Sequence, residues 1–476
     1  MSLESKRQQL ADFNVKASSD NDAKKRLTAL FDPDTFVEMD AFAMTNDVSC
    51  GVITGYGYVD GNPVYAFAQD NSVDGGAVGR VHAEKIKKVY EMASKTGAPV
   101  VAIYDSKGAR LNEGFDALAG YGDMLALSNN LSGVVPQIAV VLGTCAGVSA
   151  MLACGADFVV MSEGAELFMT APFVAKANGE AAEGAGTAAF AEKCGVAHLV
   201  CKDDQDALAQ TRTLLSLLPI NNLSMVPQFE YEEDAAGADT LLQYMAKEVC
   251  VCQAVKAIAD ASSVIVLQKE FGKGVFTALG TLAGSTVGFA GTKGEKLTAD
   301  DSAKLARFVR TCDAFSIPVV TLVDTDGFVP SSQAELAGSI RESAKLAHAY
   351  AEATCPKIAL ITGDAVGSAY IALAGKGANA DMVMAWPSAM ISAMAPEAAV
   401  EILWHEKLAG VDKAGREQLV EEYKDTLASP LEAAKNGYID QIFEPDQTRA
   451  YLIGALDMLS GKRVSKMPKK HGNMPL

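Results

Sequence analysis

Two glycine-punctuated segments carry the chemistry that can be read from this chain. In PQIAVVLGTCAGVSAMLA an apolar run ends at Gly143 and a helix of small residues starts near Gly147 and Val148. In PKIALITGDAVGSAYIALAG the same arrangement recurs at Gly363 and Gly367, with Ser368 and Ala369 opening the helix. The first N–H groups of a helix have no acceptor inside it, and the helix dipole adds partial positive charge at that end. An oxyanion placed there is stabilised without a charged side chain.

The two segments belong to a longer repeat. Pro99, Asp105, Gly108, Pro136, Gly143 and Gly147 are matched by Pro318, Asp324, Gly327, Pro356, Gly363 and Gly367, at an offset of 219 residues early and 220 late. Asp157 to Pro172 and Asp381 to Pro396 both span 15 residues. Agreement at so many proline, glycine and aspartate positions implies two copies of one fold. Two copies imply two related pockets, and so two ligands that must meet.

Other catalytic signatures are missing. No GxxxxGK[ST] nucleotide loop occurs, and no GxSxG; Ser149 sits in AGVSA, where it reads as a packed helix residue. His405 in WHEKL lacks the second histidine of a zinc helix, and His82, His198, His348 and His471 are too dispersed for a metal cluster, so no metal is expected. Cys145 could be activated by the helix dipole, but reads as a small residue in a crowded turn. Oxyanion donors without an obvious side-chain nucleophile or base fit substrates that bring their own reactive atoms.

These turns need elements to position them. Residues 1 to about 30 read as a charged helical arm. GVITGYGYV and VYAFAQD alternate as strands around the turn Asp60-Gly61-Asn62-Pro63. Arg80 to Thr96 has helical period, and APVVAIY and Val135–Leu142 are short apolar runs of buried parallel-strand type. The alternation is βα with right-handed crossovers. Leu218 to Asp239 is polar and turn-rich and reads as a linker, giving domains at 1–225 and 226–476. SSVIVLQ, Gly274–Gly284, IPVVTLVD, PKIALITG and DMVMAW then repeat the plan. The basic tail SKMPKKHGNMPL is expected to pack on a neighbour.

Composition sets bounds. A chain of 476 residues exceeds a single core, and 49% hydrophobic residues suffice for two. The net charge of −18 repels phosphate backbones and sets nucleic acid aside as a partner. Nine cysteines without paired spacing fit reduced thiols in the cytoplasm. No stretch of signal or membrane-spanning type occurs, so membrane contact would need another subunit.

The pattern P-x-I-A-x-x-x-G-x-x-x-G, with Asp157 ten residues after Gly147, resembles the crotonase superfamily. The doubled version is similar to the carboxyltransferase subunit of biotin-dependent acyl-CoA carboxylases and decarboxylases. Matching stretches run through nearly the whole chain, among them GYGYVDGNPVYAFAQD, DSKGARLNEGFDALAGYG, AKLAHAYAEATCPKIALIT and ADMVMAWPSAMISAMAPEAAVEILW. The resemblance implies an α/β fold of two tandem crotonase-like (ClpP/crotonase) domains, each a ββα-type spiral with a parallel sheet.

It also implies roles. Gly147 and Val148 match the pair that holds the thioester oxygen of an acyl-CoA, and Ser368 and Ala369 the pair that holds the ureido oxygen of biotin. The biotin enolate would take the α-proton of the thioester, whose own enolate would capture CO₂. Asp70–Gly79, including Gly75 and Gly76, and Asp105–Arg110, including Lys107, Gly108, Ala109 and Arg110, match loops that shape the CoA side. Gly143, Gly367 and Tyr370 flank the turns, and Ile371 matches a position lining the acyl pocket. The N-domain would be the acyl-CoA side and the C-domain the biotin side, meeting across subunits of a homo-hexamer, a trimer of dimers. The lysine-centred biotin acceptor sequence does not occur, so biotin would arrive on a biotin carboxyl carrier protein. The further partner would be a biotin carboxylase or a membrane decarboxylase subunit.

Departures from the pattern are Val148 and Ser368 for the usual glycines, Lys107 for a glycine and Asp74 for an aromatic residue. A lysine at 107 could reach a CoA phosphate or a substrate carboxylate. The expected function is carboxyl transfer between carboxybiotin and a short acyl-CoA such as propionyl-CoA or methylmalonyl-CoA. The alternatives are the alpha subunit of a sodium-pumping decarboxylase for methylmalonyl-CoA or glutaconyl-CoA, a biotin-free hydratase or thioesterase, and a non-catalytic scaffold.

Overall fold

The computed structural model describes residues 2–17, 21–45, 48–180, 183–232, 237–373 and 375–475. The chain forms two compact units, Met1–Met225 and Val226–Leu476. Residues 233–236 of the expected linker lie outside the described residues, as do residues 1 and 18–20 of the expected helical arm. The remainder of that arm is α1 (Leu3–Ala17) and α2 (Asp22–Leu30).

The first sheet is built from β1 (Val37–Met39), β2 (Val52–Val59), β3 (Asn62–Gln69), β4 (Val100–Ser106), β5 (Gln137–Ala146), β6 (Phe158–Ser162), β7 (Glu166–Phe168) and β8 (Leu199–Cys201). Its order is β1-β2-β3-β4-β5-β6-β8, with β7 on the far end of β5. The β2–β3 hairpin is antiparallel, and the strands from β3 onward pair in parallel. The second sheet comprises β9 (Ile265–Leu267), β10 (Val275–Leu282), β11 (Ser285–Thr292), β12 (Val319–Thr325), β13 (Lys357–Val366), β14 (Met382–Ala385), β15 (Met390–Ser392) and β16 (Gln441–Ile442). Its order, β9-β10-β11-β12-β13-β14-β16 with β15 on β13, repeats the first strand for strand. The fold is α/β with two sheets of mostly parallel strands.

The repeated residues have repeated jobs. The Pro99 carbonyl accepts from Tyr65 N–H and the Pro318 carbonyl from Gly288 N–H, at 3.0 and 2.8 Å. Pro136 and Pro356 accept from Val100 and Val319, so each proline starts a strand where its missing N–H is not needed. Asp157 and Asp381 accept the N–H of Gln137 and Lys357 at 2.8 and 2.7 Å, pinning the start of the central strand. Pro172 and Pro396 both open short helices, Pro172–Ala177 and Pro396–Leu403.

Central strands buried on both faces explain the unbroken apolar runs: Val100–Ile103 and Ile138–Val141 are all nearly solvent-free. On one side of the first sheet, α3 (Arg80–Thr96) lays Ile86, Val89, Tyr90 and Ala93 on Phe67, Val100 and Tyr104. Gly97, at φ 69°, ends that helix in the left-handed conformation. The second unit has its own core around Phe289, Leu322, Leu360 and Trp386. A buried lysine is repeated as well. Lys85 donates to the Val52 carbonyl at 2.9 Å, and Lys304, on α6 (Ala299–Ala314), donates to the carbonyls of Gln268, Phe271 and Val275 at 2.8, 2.9 and 3.3 Å.

The basic tail packs on its own unit. Lys469 and Arg310 pair with Glu352 at the end of α7 (Ser339–Glu352), Lys466 bonds the Glu352 carbonyl, and Lys462 reaches Asp381 at 2.7 Å. Lys469 first, then His348 and Arg310, hold the Glu352 carboxyl down to about 2. Among the described residues no helix is long and apolar enough to cross a membrane.

Candidate active site

Strand β5 does not end at Gly143, as the sequence suggested. It continues to Ala146, because β7 becomes its partner over Thr144–Ala146. The register with β4 slips between Tyr104 and Ser106, so that Ser106 faces Cys145. Gly143 has a different purpose. A Cβ there would stand 2.1 Å from Asp105 Oδ1. That carboxylate accepts from the Thr144 N–H at 3.2 Å and from Asn71 Nδ2 at 2.7 Å, while Arg26 bonds its other oxygen at 2.9 Å. The second unit uses the same brace: a Cβ on Gly363 would stand 2.3 Å from Asp324 Oδ1, which accepts from the Asp364 N–H at 2.9 Å. Asp and Gly recur at one spacing because the carboxylate occupies the place of the missing side chain.

The turn proper is one residue long in each unit. Gly147 has φ 63° and ψ −126°, a conformation reserved for glycine, and Gly367 has φ 59°. The Gly147 N–H donates to the Phe168 carbonyl at 2.9 Å. It is therefore not an available oxyanion donor, contrary to expectation. Val148 and Ser149 open α5 (Val148–Gly155), and their N–H groups have no acceptor within that helix. In the second unit α8 (Gly367–Ala372) places Ser368 and Ala369 in the same position. The 220-residue offset carries Ser368 and Ala369 onto Val148 and Ser149, so the repeat itself contained the signal for Ser149. Val148 and Ser368 are not among the residues with positive φ, so replacing the usual glycines there brings no backbone strain.

Loops from neighbouring strands crowd each turn. Gly108 and Gly327, at φ 111° and 107°, receive the side-chain oxygens of Ser106 and Thr325 on their N–H groups at 3.2 and 3.3 Å. Their carbonyls accept from Val78 and Leu297, both at 2.8 Å, and Ala109 and Phe328 lie opposite those residues. A Cβ on Gly108 would come within 3.9 Å of the Ala146 carbonyl, so the loop stands beside the turn. Gly75 and Gly76 are both left-handed, and a Cβ on Gly76 would stand 2.1 Å from the Asp105 carbonyl. The Lys107 side chain lies along Gly75 and is exposed. Arg110 is buried and engaged with Glu113 at 3.3 Å, Asp74 at 3.4 Å and the Cys50 carbonyl at 3.3 Å. It fixes the shape of the 70–79 loop. Ile371 is 56% exposed on α8 and Met151, at the matching place on α5, is 48% exposed, while the Tyr370 ring folds back onto Gly375.

In the first unit Cys145, Ser149 and His82 are each disarmed as nucleophile or base. Burial pushes the Cys145 thiol far up. The Ser149 hydroxyl pairs with Tyr121, on α4 (Phe115–Leu131), at 2.9 Å. His82 is fully buried between Gln69 and the Cys50 carbonyl, and desolvation lowers it to about 3, so it is neutral. The second turn differs. Burial, with Asp324 and then Asp326 nearby, raises the half-buried Asp364 carboxyl, which hydrogen-bonds Asp326. Sequence spacing did not reveal this trio, because parallel pairing of β12 and β13 brings together residues about 40 positions apart.

The carboxyl transferase domain model matches residues 19–474, the two units together. The chain belongs to the carboxyl transferase family. The alpha subunit of methylmalonyl-CoA decarboxylase from Propionigenium modestum is 40% identical over 97% of this chain and 94% of its own length. The propionyl-CoA carboxylase beta chain of Saccharopolyspora erythraea is 38% identical over 95% of this chain and 90% of its own. The transcarboxylase 12S structure, a hexamer with methylmalonyl-CoA and methylmalonic acid bound, superposes with a TM-score of 0.92 at 33% identity, covering both chains completely. In this carboxyl transferase each unit carries one braced glycine turn.

Proposed function

We propose that this enzyme moves a carboxyl group between biotin, carried on a separate protein, and a short acyl-CoA, with propionyl-CoA and methylmalonyl-CoA as the pair. The observation that carries the reading is the matched pair of braced turns, each opening a helix with two N–H groups. The first unit takes the acyl-CoA: Val148 and Ser149 hold the thioester oxygen as negative charge develops there. The second takes biotin: Ser368 and Ala369 hold its ureido oxygen. Bound biotin supplies the carboxyl carrier and the base, which agrees with a first turn lacking an ionisable nucleophile. The protein orients both partners and presents fixed dipoles at no reorganisation cost. The relatives' names agree on the substrate, since decarboxylating methylmalonyl-CoA yields propionyl-CoA and carboxylating propionyl-CoA reverses it. Assembly into a homo-hexamer would bring the two kinds of turn together between subunits. The cytoplasm is the proposed location.

The test is an exchange assay with the purified chain, free biotin and a panel of malonyl-, methylmalonyl- and glutaconyl-CoA. Biotin-dependent loss of carboxyl from methylmalonyl-CoA, faster than from the other two, is expected. Thioester hydrolysis or double-bond hydration without any biotin dependence would replace this reading with the crotonase-type alternative.

A further inference from the structure

We propose that the lysine rim beside the second turn is the docking face for an acidic surface around the carrier's biotinyl lysine. The inference rests on the function proposed above. Its starting point is a difference between the two copies. In each sheet the hairpin strands are flanked by two loops at the end that bears the glycine turn. In the first unit the loop after the hairpin, residues 70–78, carries Asp70 and Asp74 and no lysine. The matching loop of the second unit, residues 293–297, carries Lys293 and Lys296, and the loop before its hairpin, residues 268–274, carries Lys269 and Lys273. All four lysines are exposed.

The rim is built and belongs to the turn. Lys304, itself buried, gathers the carbonyls of Gln268, Phe271 and Val275, so the first loop has a fixed path. Lys293 Nζ bonds the Lys273 carbonyl at 2.5 Å and ties the two loops together. Gly294 N–H bonds the Asp324 carbonyl at 2.8 Å, and the Asp324 carboxylate braces the 363–364 backbone. The charges of Lys256, Lys269 and Lys293 all reach Cys252, and that of Lys247 reaches Asp364, so the positive field continues onto the helix Val251–Ile258, which carries Lys256, and the turn before it, which carries Lys247. Glu270 is taken up by Lys273 at 2.7 Å, Glu248 and Glu295 are the other acidic residues in these segments, and the Asp324, Asp326 and Asp364 carboxylates lie at the turn itself, so the positive charge is confined to the lysines around it.

Lysines spread over two loops and a helix, without an arginine fork, suit a broad acidic protein face better than a single phosphate. On a chain of net charge −18 an acidic partner is repelled from most of the surface, so a local positive rim steers its approach.

The experiment uses the full chain, methylmalonyl-CoA and three acceptors: free biotin, a biocytin peptide flanked by glutamates, and one flanked by glutamines. The variant is Lys269→Gln/Lys273→Gln/Lys293→Gln. The wild type is expected to favour the glutamate peptide by about tenfold in KM, with the preference lost at high salt. The variant is expected to lose that preference while keeping its rate with free biotin. Equal KM for both peptides in the wild type overturns the proposal. So does a variant whose only change is a higher KM for methylmalonyl-CoA, which would assign the lysines to CoA phosphates. Fluorescence anisotropy of the same labelled peptides decides the rim independently: discrimination lost in the variant supports it, and none in the wild type overturns it. An enzyme that binds the acidic peptide selectively but exchanges with no acceptor would refute the function proposed above while leaving the rim standing.

Discussion

Gly143→Ala and Gly363→Ala should each disable one half-site without unfolding the protein. A methyl group at 143 would lie 2.1 Å from Asp105 Oδ1, and at 363 it would lie 2.3 Å from Asp324 Oδ1. Ordinary contact begins at 3.4 Å, so strand and carboxylate must separate by roughly 1 Å. The Asp105 carboxylate cannot retreat freely, being held by Arg26, Asn71 and the Thr144 N–H. The separation therefore passes along β5 toward Val148 and Ser149. Displacing catalytic groups by that distance costs about a hundredfold in rate. The overpacking itself costs about 1–3 kcal/mol of stability, which a unit with its own large core survives. The assay is steady-state exchange between methylmalonyl-CoA and free biotin, together with thermal unfolding. Gly143→Ala should act on the acyl-CoA half and Gly363→Ala on the biotin half. Adding Asp105→Ala to Gly143→Ala should cost less than the sum of the single changes, because the clash is with that carboxylate. Folded single variants with undiminished exchange would refute the idea that the brace sets the turn.

Further outcomes are expected. Val148→Pro removes one N–H at the first position of α5, where proline fits a helix, and should lower exchange by about 10²–10³; Ala369→Pro should abolish exchange while acyl-CoA binding persists, read by calorimetric titration. His82 is neutral when folded, with its pKa lowered to about 3 from 6.5. The unfolded chain then binds the extra proton first, so stability is full above pH 6.5 and is lost as the pH falls toward 3. Urea unfolding of His82→Gln should show a flatter acid limb over that window. Asp364 has the opposite sign: its carboxyl is raised when folded, so ionisation destabilises and stability declines as the pH rises through that carboxyl's range. Asp364→Asn should raise the melting temperature at neutral pH.

Much of this was legible in the sequence because rigid backbone geometry needs particular residues. Proline at a strand start, aspartate beneath a glycine and glycine at positive φ leave fixed spacings. The spacing located both turns and both units. It did not reveal which amides were free, since attention to glycine favoured Gly147, whose N–H is spent on Phe168. Nor did it show that β5 outruns Gly143, because the partner strand β7 is only three residues long and carries little signal of its own. The repeated buried lysines, Lys85 and Lys304, share the 219-residue offset, yet lysine in an amphipathic helix reads as solvent-facing until its carbonyl partners are seen.

Each unit closes its sheet with strands from its own stretch of chain, in the same order, around its own apolar interior. Among the described residues no strand is borrowed from the other half. A break in the polypeptide near Met225 would thus sever a connection and leave every ladder intact, so two genes expressing the halves separately could reconstitute what one gene now encodes.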